Sequence, residues 1–268
     1  MAACADRLRP LTVLVVASVA LWALAGALFA VRWASVPRPV PPSRSLFPYG
    51  EMRIGVDASS PPFAAVSADG LFGLEVDLGQ ALAEQIGVPL RFVNMGFDGL
   101  YDSLRADQVD IVIAQLLFDP MLTRAVRYSR PYYNAGLVLV SPAARPVLSM
   151  AALPGRALAY EFGSEADAEA RRWLRRVLPF EQRPYELPSF ALDAVRLGQA
   201  DAALVDAASA HLYLRDYPDW KAEISRVTDS LYVIASRADR PALAEHVNAA
   251  LDALEADGRL ARLIARWF

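Results

Sequence analysis

The chain has 268 residues, 55% of them hydrophobic, and a formal net charge of −3. That length holds one large domain or two small ones, and the charge balance argues against a nucleic-acid partner. Cys4 is the only cysteine, which excludes a disulfide framework or a cysteine metal site; no phosphate loop, dinucleotide fingerprint or metal-ligand cluster is present, so no cofactor or metal is expected.

Met1–Pro10 is a short tail carrying Arg7 and Arg9. Leu11–Val31 then runs 21 residues without a charge, matching the ~20 residues of a bilayer-spanning helix. Residues 11–31 read as a transmembrane signal anchor. The rival reading is a cleavable signal peptide with Ala25-Gly26-Ala27 as its cleavage site, but secretory cores run about 7–15 residues. Arg32, Arg38 and Arg44 lie beyond the run, so charge does not set its orientation. Residues 32–51 hold Pro37, Pro39, Pro41, Pro42 and Pro48 and read as a stiff, extended spacer with no core.

The globular part is expected from Met52. Arg53–Val56 reads as a strand, Ser59-Ser60-Pro61-Pro62 as a loop and Asp69-Gly70 as a turn. Glu75–Gly87 reads as a helix, with Leu78, Leu82 and Ile86 on one face and Gly87 at its C-terminal end. Pro89–Val93 is a predicted strand and Phe97–Arg105 a predicted helix. Val109–Leu117 is apolar apart from Asp110 and Gln115, a pattern that predicts a strand buried on both faces. Asp119-Pro120 then reads as a helix start, with Asp as cap and Pro in the first turn, and Ser129-Arg130-Pro131 as a break. A strand end followed at once by a helix faces the ligand crevice of open parallel sheets.

Asn134–Ser141 and Arg156–Tyr160 are predicted strands. Ser164 opens a polar helix, whose free N–H groups could receive an anion; a plain Ser cap accounts for the residue equally. Val195–Asp206, shifted by 91 positions, lies over Leu104–Gln115: Arg196 meets Arg105, Gln199 meets Gln108 and Asp201 meets Asp110. Each copy reads as a helix end, a tight turn and a buried strand, which suggests two lobes of similar build. Gln115 and Asp206 then occupy matching strand ends, one per lobe. Asp229–Ser236 reads as a strand, and Leu243, Val247, Leu251 and Leu254 form the buried face of a helix from Pro241. His211 and His246 read as surface or packing residues.

With these residues in view, the chain resembles the family 3 extracellular solute-binding proteins, the amino-acid receptors of bacterial ABC importers. The matching pieces are Pro61-Pro62-Phe63, Gly73–Leu78, Phe97–Leu100, Tyr128–Tyr133, Gly163-Ser164, Asp201–Asp206, and Asp257-Gly258 to Trp267-Phe268. The resemblance implies an α/β, two-lobed periplasmic-binding-protein type II fold closing over its ligand. Lobe one would be 52–139 plus 233–268, and lobe two 140–232. It implies that Asp206 holds an ammonium group, Asp57 a cationic side chain, Phe97 an apolar face and Gly163-Ser164 a carboxylate. Ser60, Gln115, Leu117, Asp119 and Leu122 complete the expected ligand-binding set; no catalytic residue is expected. The implied partners are a small-molecule solute and an ABC permease in the inner membrane. The chain itself would be a single-pass inner-membrane protein, with its folded part in the periplasm or outside the cell; cleavage to a free periplasmic protein is the alternative.

The departures from the family pattern bear on the ligand. The family's carboxylate-clamping Arg falls at Leu122, its Thr at Asp119, and the small polar residues of the preceding strand end at Ala114 and Leu117. Arg124 lies two positions on, roughly 200° round a helix. Leucine cannot replace the planar, two-pronged Arg donor. Asp57, Asp119 and Asp206 without that Arg favour a cation or amine over a zwitterion. Two other functions stay open: a dehydratase-like enzyme, with Asp229 near the acid position, and a binding fold reused as an assembly subunit.

Overall fold

A computed structural model describes residues 46–268. The expected anchor over 11–31 lies outside them, and among the described residues no helix is long and apolar enough to cross a membrane. The first segment supplies β1 (Met52–Val56), the short strands β2 (Ser59–Ser60), β3 (Ala64–Ser67) and β4 (Gly70–Phe72), then α1 (Leu74–Ile86) and β5 (Leu90–Asn94). It continues with α2 (Leu100–Arg105), β6 (Ile111–Leu117) and β7 (Val126–Asn134). The middle segment supplies β8 (Leu137–Pro142), β9 (Ala157–Glu161), α3 (Glu165–Trp173), β10 (Glu181–Tyr185) and α4 (Pro188–Arg196). It ends with β11 (Ala202–Asp206), α5 (Ala207–Asp216) and β12 (Ala222–Arg226). The last segment is β13 (Leu231–Arg237), α6 (Pro241–Ala256) and α7 (Arg259–Trp267).

Two five-stranded sheets result, ordered β5-β1-β6-β13-β7 and β10-β9-β11-β8-β12. In each, the first three strands are parallel and the last two join antiparallel. The helical spacing read from sequence is the buried face: Leu78 and Leu82 of α1 pack with Val247, Leu251 and Leu254 of α6 in one apolar core. Each fully buried side chain of this kind contributes about 1.5–3 kcal/mol.

The sequence echo has a structural cause. Asp110 and Asp201 sit just before β6 and β11, and each carboxylate accepts an N–H near the start of the neighbouring parallel strand. Asp110 takes Arg53 N–H at 2.9 Å, and Asp201 takes Ala157 N–H at 2.8 Å. In return their own N–H groups donate to the Arg53 and Ala157 carbonyls. Buried backbone polar groups must be satisfied, and a carboxylate at this position does so in both sheets. The turns before them match too, with Asp107 and Gly198 both in the left-handed region at φ 55° and 73°. The first lobe adds charge to the device: Asp110 also accepts Arg53 Nε at 3.0 Å and Arg240 Nη1 at 2.7 Å.

The chain crosses between the sheets at Ala135-Gly136 and again over 227–230. The crossings touch: Ala135 N–H donates to the Ser230 carbonyl at 2.8 Å, and Asn134 Nδ2 donates to Asp229 Oδ1 at 2.7 Å. Gly136 lies so close to the second crossing that a Cβ there would sit 2.0 Å from the Thr228 oxygen.

Four sequence expectations are corrected. Leu137–Leu139, expected in lobe one, pair in the second sheet, and Leu231 and Tyr232, expected in lobe two, pair in the first. Ser129-Arg130-Pro131 is no break but lies inside β7, where the register against β13 shifts around Pro131. The helix expected after Asp119 is a three-residue 3-10 turn, Pro120–Leu122. The spacer expected to run to residue 51 stops short, because Leu46 and Phe47 are 7% and 2% exposed within the first lobe's core. Tyr49 fastens the same segment, lying against the Arg53 guanidinium and donating its hydroxyl to Asp107.

Candidate ligand cleft

The carboxyl ends of β1, β5 and β6 in one lobe, and of β9, β10 and β11 in the other, carry most of the residues singled out from sequence. Asp57 follows β1, Phe97 follows β5, and Gln115 and Leu117 close β6. Gly163-Ser164 follow β9, and Asp206 ends β11.

In the first lobe, Asp57 Oδ1 accepts Ser59 N–H at 3.2 Å, and Ser60 Oγ donates to Gln115 Oε1 at 3.3 Å. Gln115 is a non-glycine residue at φ 53°, a left-handed conformation that costs about 1–3 kcal/mol and persists only where its surroundings impose it. What imposes it is Glu75 on α1, whose Oε1 accepts Gln115 N–H at 2.7 Å and the Tyr132 hydroxyl at 2.6 Å. Glu75 is 0% exposed, and its Oε2 has no partner among the described residues.

Sequence reasoning missed Glu75, although the signal was present: it stands three residues before Leu78, on the same apolar helix face. Burial pushes its carboxyl up from 4.5 to about 7; the Asp57 charge adds to this, while the Tyr132 and Gln115 hydrogen bonds oppose it. A raised carboxyl pKa means that the folded state holds the proton more tightly than the unfolded state. This group's contribution is therefore fully present below the unfolded value of 4.5 and is lost as pH rises through about 7. The change is roughly 3 kcal/mol. Glu75→Gln keeps the acceptor oxygen and stays neutral. In urea unfolding at pH 5 and pH 8 the variant should show a smaller loss of stability at the higher pH than the parent; equal losses would refute the assignment.

In the second lobe a cavity of about 170 Å³ opens beside Glu161, Ser164, Glu165 and Asp206. Three carboxylates line it, and its lining includes no Lys or Arg. The donors expected to receive a ligand carboxylate are already engaged. Gly163 N–H donates to Asp167 Oδ2 at 3.0 Å. Ser164 Oγ donates to the Glu161 carbonyl and accepts the Ala166 N–H, capping α3. The Arg171 guanidinium holds the Asp167 carboxyl below its ordinary range, so an internal carboxylate occupies this position. At the α3 N-terminus the Gly163 N–H and the Ser164 hydroxyl are thus engaged within the chain. Asp206 caps α5 through Ser209, accepting its N–H at 2.8 Å and its hydroxyl at 2.6 Å; each carboxylate oxygen keeps a further lone pair for a ligand.

Two expected cleft residues are otherwise occupied. Leu122 is half-buried and packs against the apolar cluster that includes Leu100, Leu104 and Val126. Asp119 Oδ1 accepts Met121 N–H at 2.8 Å, the cap of the 3-10 turn. Arg124 is exposed. Phe97 and Leu117 stand exposed at their strand ends.

Two similar α/β lobes, joined by two crossings and presenting strand ends with ligand-type side chains, define a two-lobed periplasmic-binding-protein fold. The sequence model of the bacterial extracellular solute-binding proteins, family 3, matches residues 52–268, and the chain belongs to that family. Among its relatives, the ABC transporter arginine-binding protein 1 of Escherichia coli K12 is 28% identical over 225 residues, covering 81% of this chain and 90% of the relative. The L-cystine-binding protein TcyJ of the same organism is 28% identical over 228 residues, covering 82% and 83%. Among solved structures, an ancestral cationic amino acid solute binding protein superposes with a TM-score of 0.63 at 27% identity, covering 84% of this chain and 98% of the other.

Proposed function

We propose that the chain is the ligand-capturing subunit of an ABC-type uptake system of the amino-acid class, taking a small cationic solute between its lobes and delivering it to a permease. The carrying observation is the charge of the site. Glu161, Glu165 and Asp206 line the second-lobe cavity without a cation, and Asp57 stands at a strand end of the first lobe. The arginine-binding name of one relative agrees with this. The two Escherichia coli relatives are both named as binding proteins, and the reading is capture without turnover. Residues 140–232 act as the second lobe to within a few residues, closing on 52–139 and 233–268.

Asp206 is the main charged contact in this reading. Asp206→Asn retains the α5 cap, since Asn caps as well as Asp. It removes a charge-assisted bond worth about 1.5–3 kcal/mol. Calorimetry with agmatine, the decarboxylated form of arginine, should therefore show roughly tenfold or greater weakening. Equal affinity for parent and variant would reject the assignment.

The 21-residue uncharged run and the Pro-rich spacer support an uncleaved anchor at 11–31 that tethers the folded part outside the inner membrane. N-terminal sequencing of native material should begin at or near Met1. A sequence starting just after Ala27 would establish cleavage and a free periplasmic protein instead.

A further inference from the structure

Charge alone does not specify the rest of the ligand, and two independent features of the cleft bear on it. The first is the absence of a receptor for a carboxylate at its expected place: Gly163 N–H is held by Asp167, the Ser164 hydroxyl by Glu161 and the α3 backbone, and Leu122 by an apolar cluster. A ligand carboxylate here would meet Glu161, Glu165 and Asp206 without a balancing cation, and burying an unpaired charge is prohibitive.

The second feature is apolar. At the strand ends of the first lobe, Phe97 and Leu117 are 49% and 50% exposed. At those of the second lobe, Phe162, Leu187 and Phe190 are 68%, 48% and 46% exposed. Phe162 lies between Glu161 and Gly163, and its N–H donates to the Tyr185 carbonyl at 2.8 Å, so it sits where β9 and β10 end together. Leu187 and Phe190 flank the start of α4, beside the cavity residue Pro188. A single exposed apolar side chain is ordinary, but a group gathered at the strand ends of both lobes marks a binding surface. Ring faces at that border also attract a cation.

We infer that the cleft takes an organic cation with an extended apolar body and no carboxylate: an alkyl or arylalkyl amine or guanidine. The ammonium or guanidinium sits at Asp206 and Asp57, and the apolar body lies between Phe97 and Leu117 on one side and Phe162 and Phe190 on the other. This rests on the cationic reading above and adds the remainder of the molecule.

The test is calorimetry of the full chain with the straight-chain amines from methylamine to hexylamine, with phenethylamine, and with agmatine against arginine. Affinity should rise roughly fourfold per methylene, phenethylamine should bind with the longer amines, and agmatine should bind more tightly than arginine. Phe162→Ala, a change at an exposed position, should flatten the dependence on chain length while the variant keeps the parent's melting temperature. If agmatine binds but affinity does not grow along the amine series, the apolar body is overturned and the cationic site stands. If arginine binds more tightly than agmatine, the exclusion of a carboxylate is overturned. If no amine or guanidine binds, both this inference and the cationic reading fall.

Discussion

Replacing Asp110 with Ala should lower stability by about 3–5 kcal/mol, a large share of the roughly 5–15 kcal/mol that holds a folded protein together. Asp110 is fully buried and holds two arginines, with Arg53 Nη2 at 2.9 Å and Arg240 Nη1 at 2.7 Å. The Arg53 side chain is itself only 6% exposed, so loss of Asp110 leaves a buried guanidinium with Asp107, at 3.1 Å, as its one remaining carboxylate partner. The same substitution frees the buried Arg53 N–H at the head of β1. Asp201→Ala is the internal control. Its carboxylate satisfies the equivalent N–H of Ala157 without the arginines, so its loss should cost only about 1–3 kcal/mol. Urea unfolding of both variants, followed by far-ultraviolet circular dichroism, measures the difference. Equal destabilisation would show that the backbone bond, rather than the ion cluster, carries the effect.

The second large effect is in binding. None of the twenty standard α-amino acids should bind this protein tightly. In the family pattern a buried arginine pairs with the ligand carboxylate, and losing one member of such a pair costs about 2–5 kcal/mol or more. A micromolar binder would thereby weaken into the near-millimolar range or beyond. The structure strengthens the expectation in two ways. Leu122 is half-buried against the apolar cluster that includes Leu100 and Leu104, and Asp167 already occupies the Gly163 N–H. Leu122→Arg alone would therefore not rebuild a clamp; it would press a charge against an apolar cluster. Calorimetry across the twenty amino acids decides the matter, and one sub-micromolar binder among them would reject the claim.

Much of this architecture is legible from the chain because the same physical demand recurs twice. An N–H near the start of a buried parallel strand needs an acceptor, and the Asp110 and Asp201 spacing records that need. Glu75 is legible for a related reason, as a carboxylate on an otherwise apolar helix face. Leu122 is not. Its direction cannot follow from α-helical angles, because Pro120–Leu122 forms a 3-10 turn, with 3.0 residues per turn rather than 3.6. The lobe boundaries also escape composition, since Leu139 and Tyr232 are equally apolar on either side of a crossing. Pairing register assigns them, and register is a property of two strands rather than one. Phe162 and Phe190 carry no signal at all, because an exposed aromatic and a core aromatic look alike in sequence.

The contact between Gly136 and Thr228 bears on the proposed capture. With the two crossings in touch at that point, any relative turning of the lobes must pivot close to it, as a door turns about its pin. The strand ends proposed to bear the ligand lie out along the leaves, so a small twist at the pin would become a long sweep at the lips. A side chain on residue 136 would act as a wedge in the knuckle, forcing the backbone of one crossing away from the other.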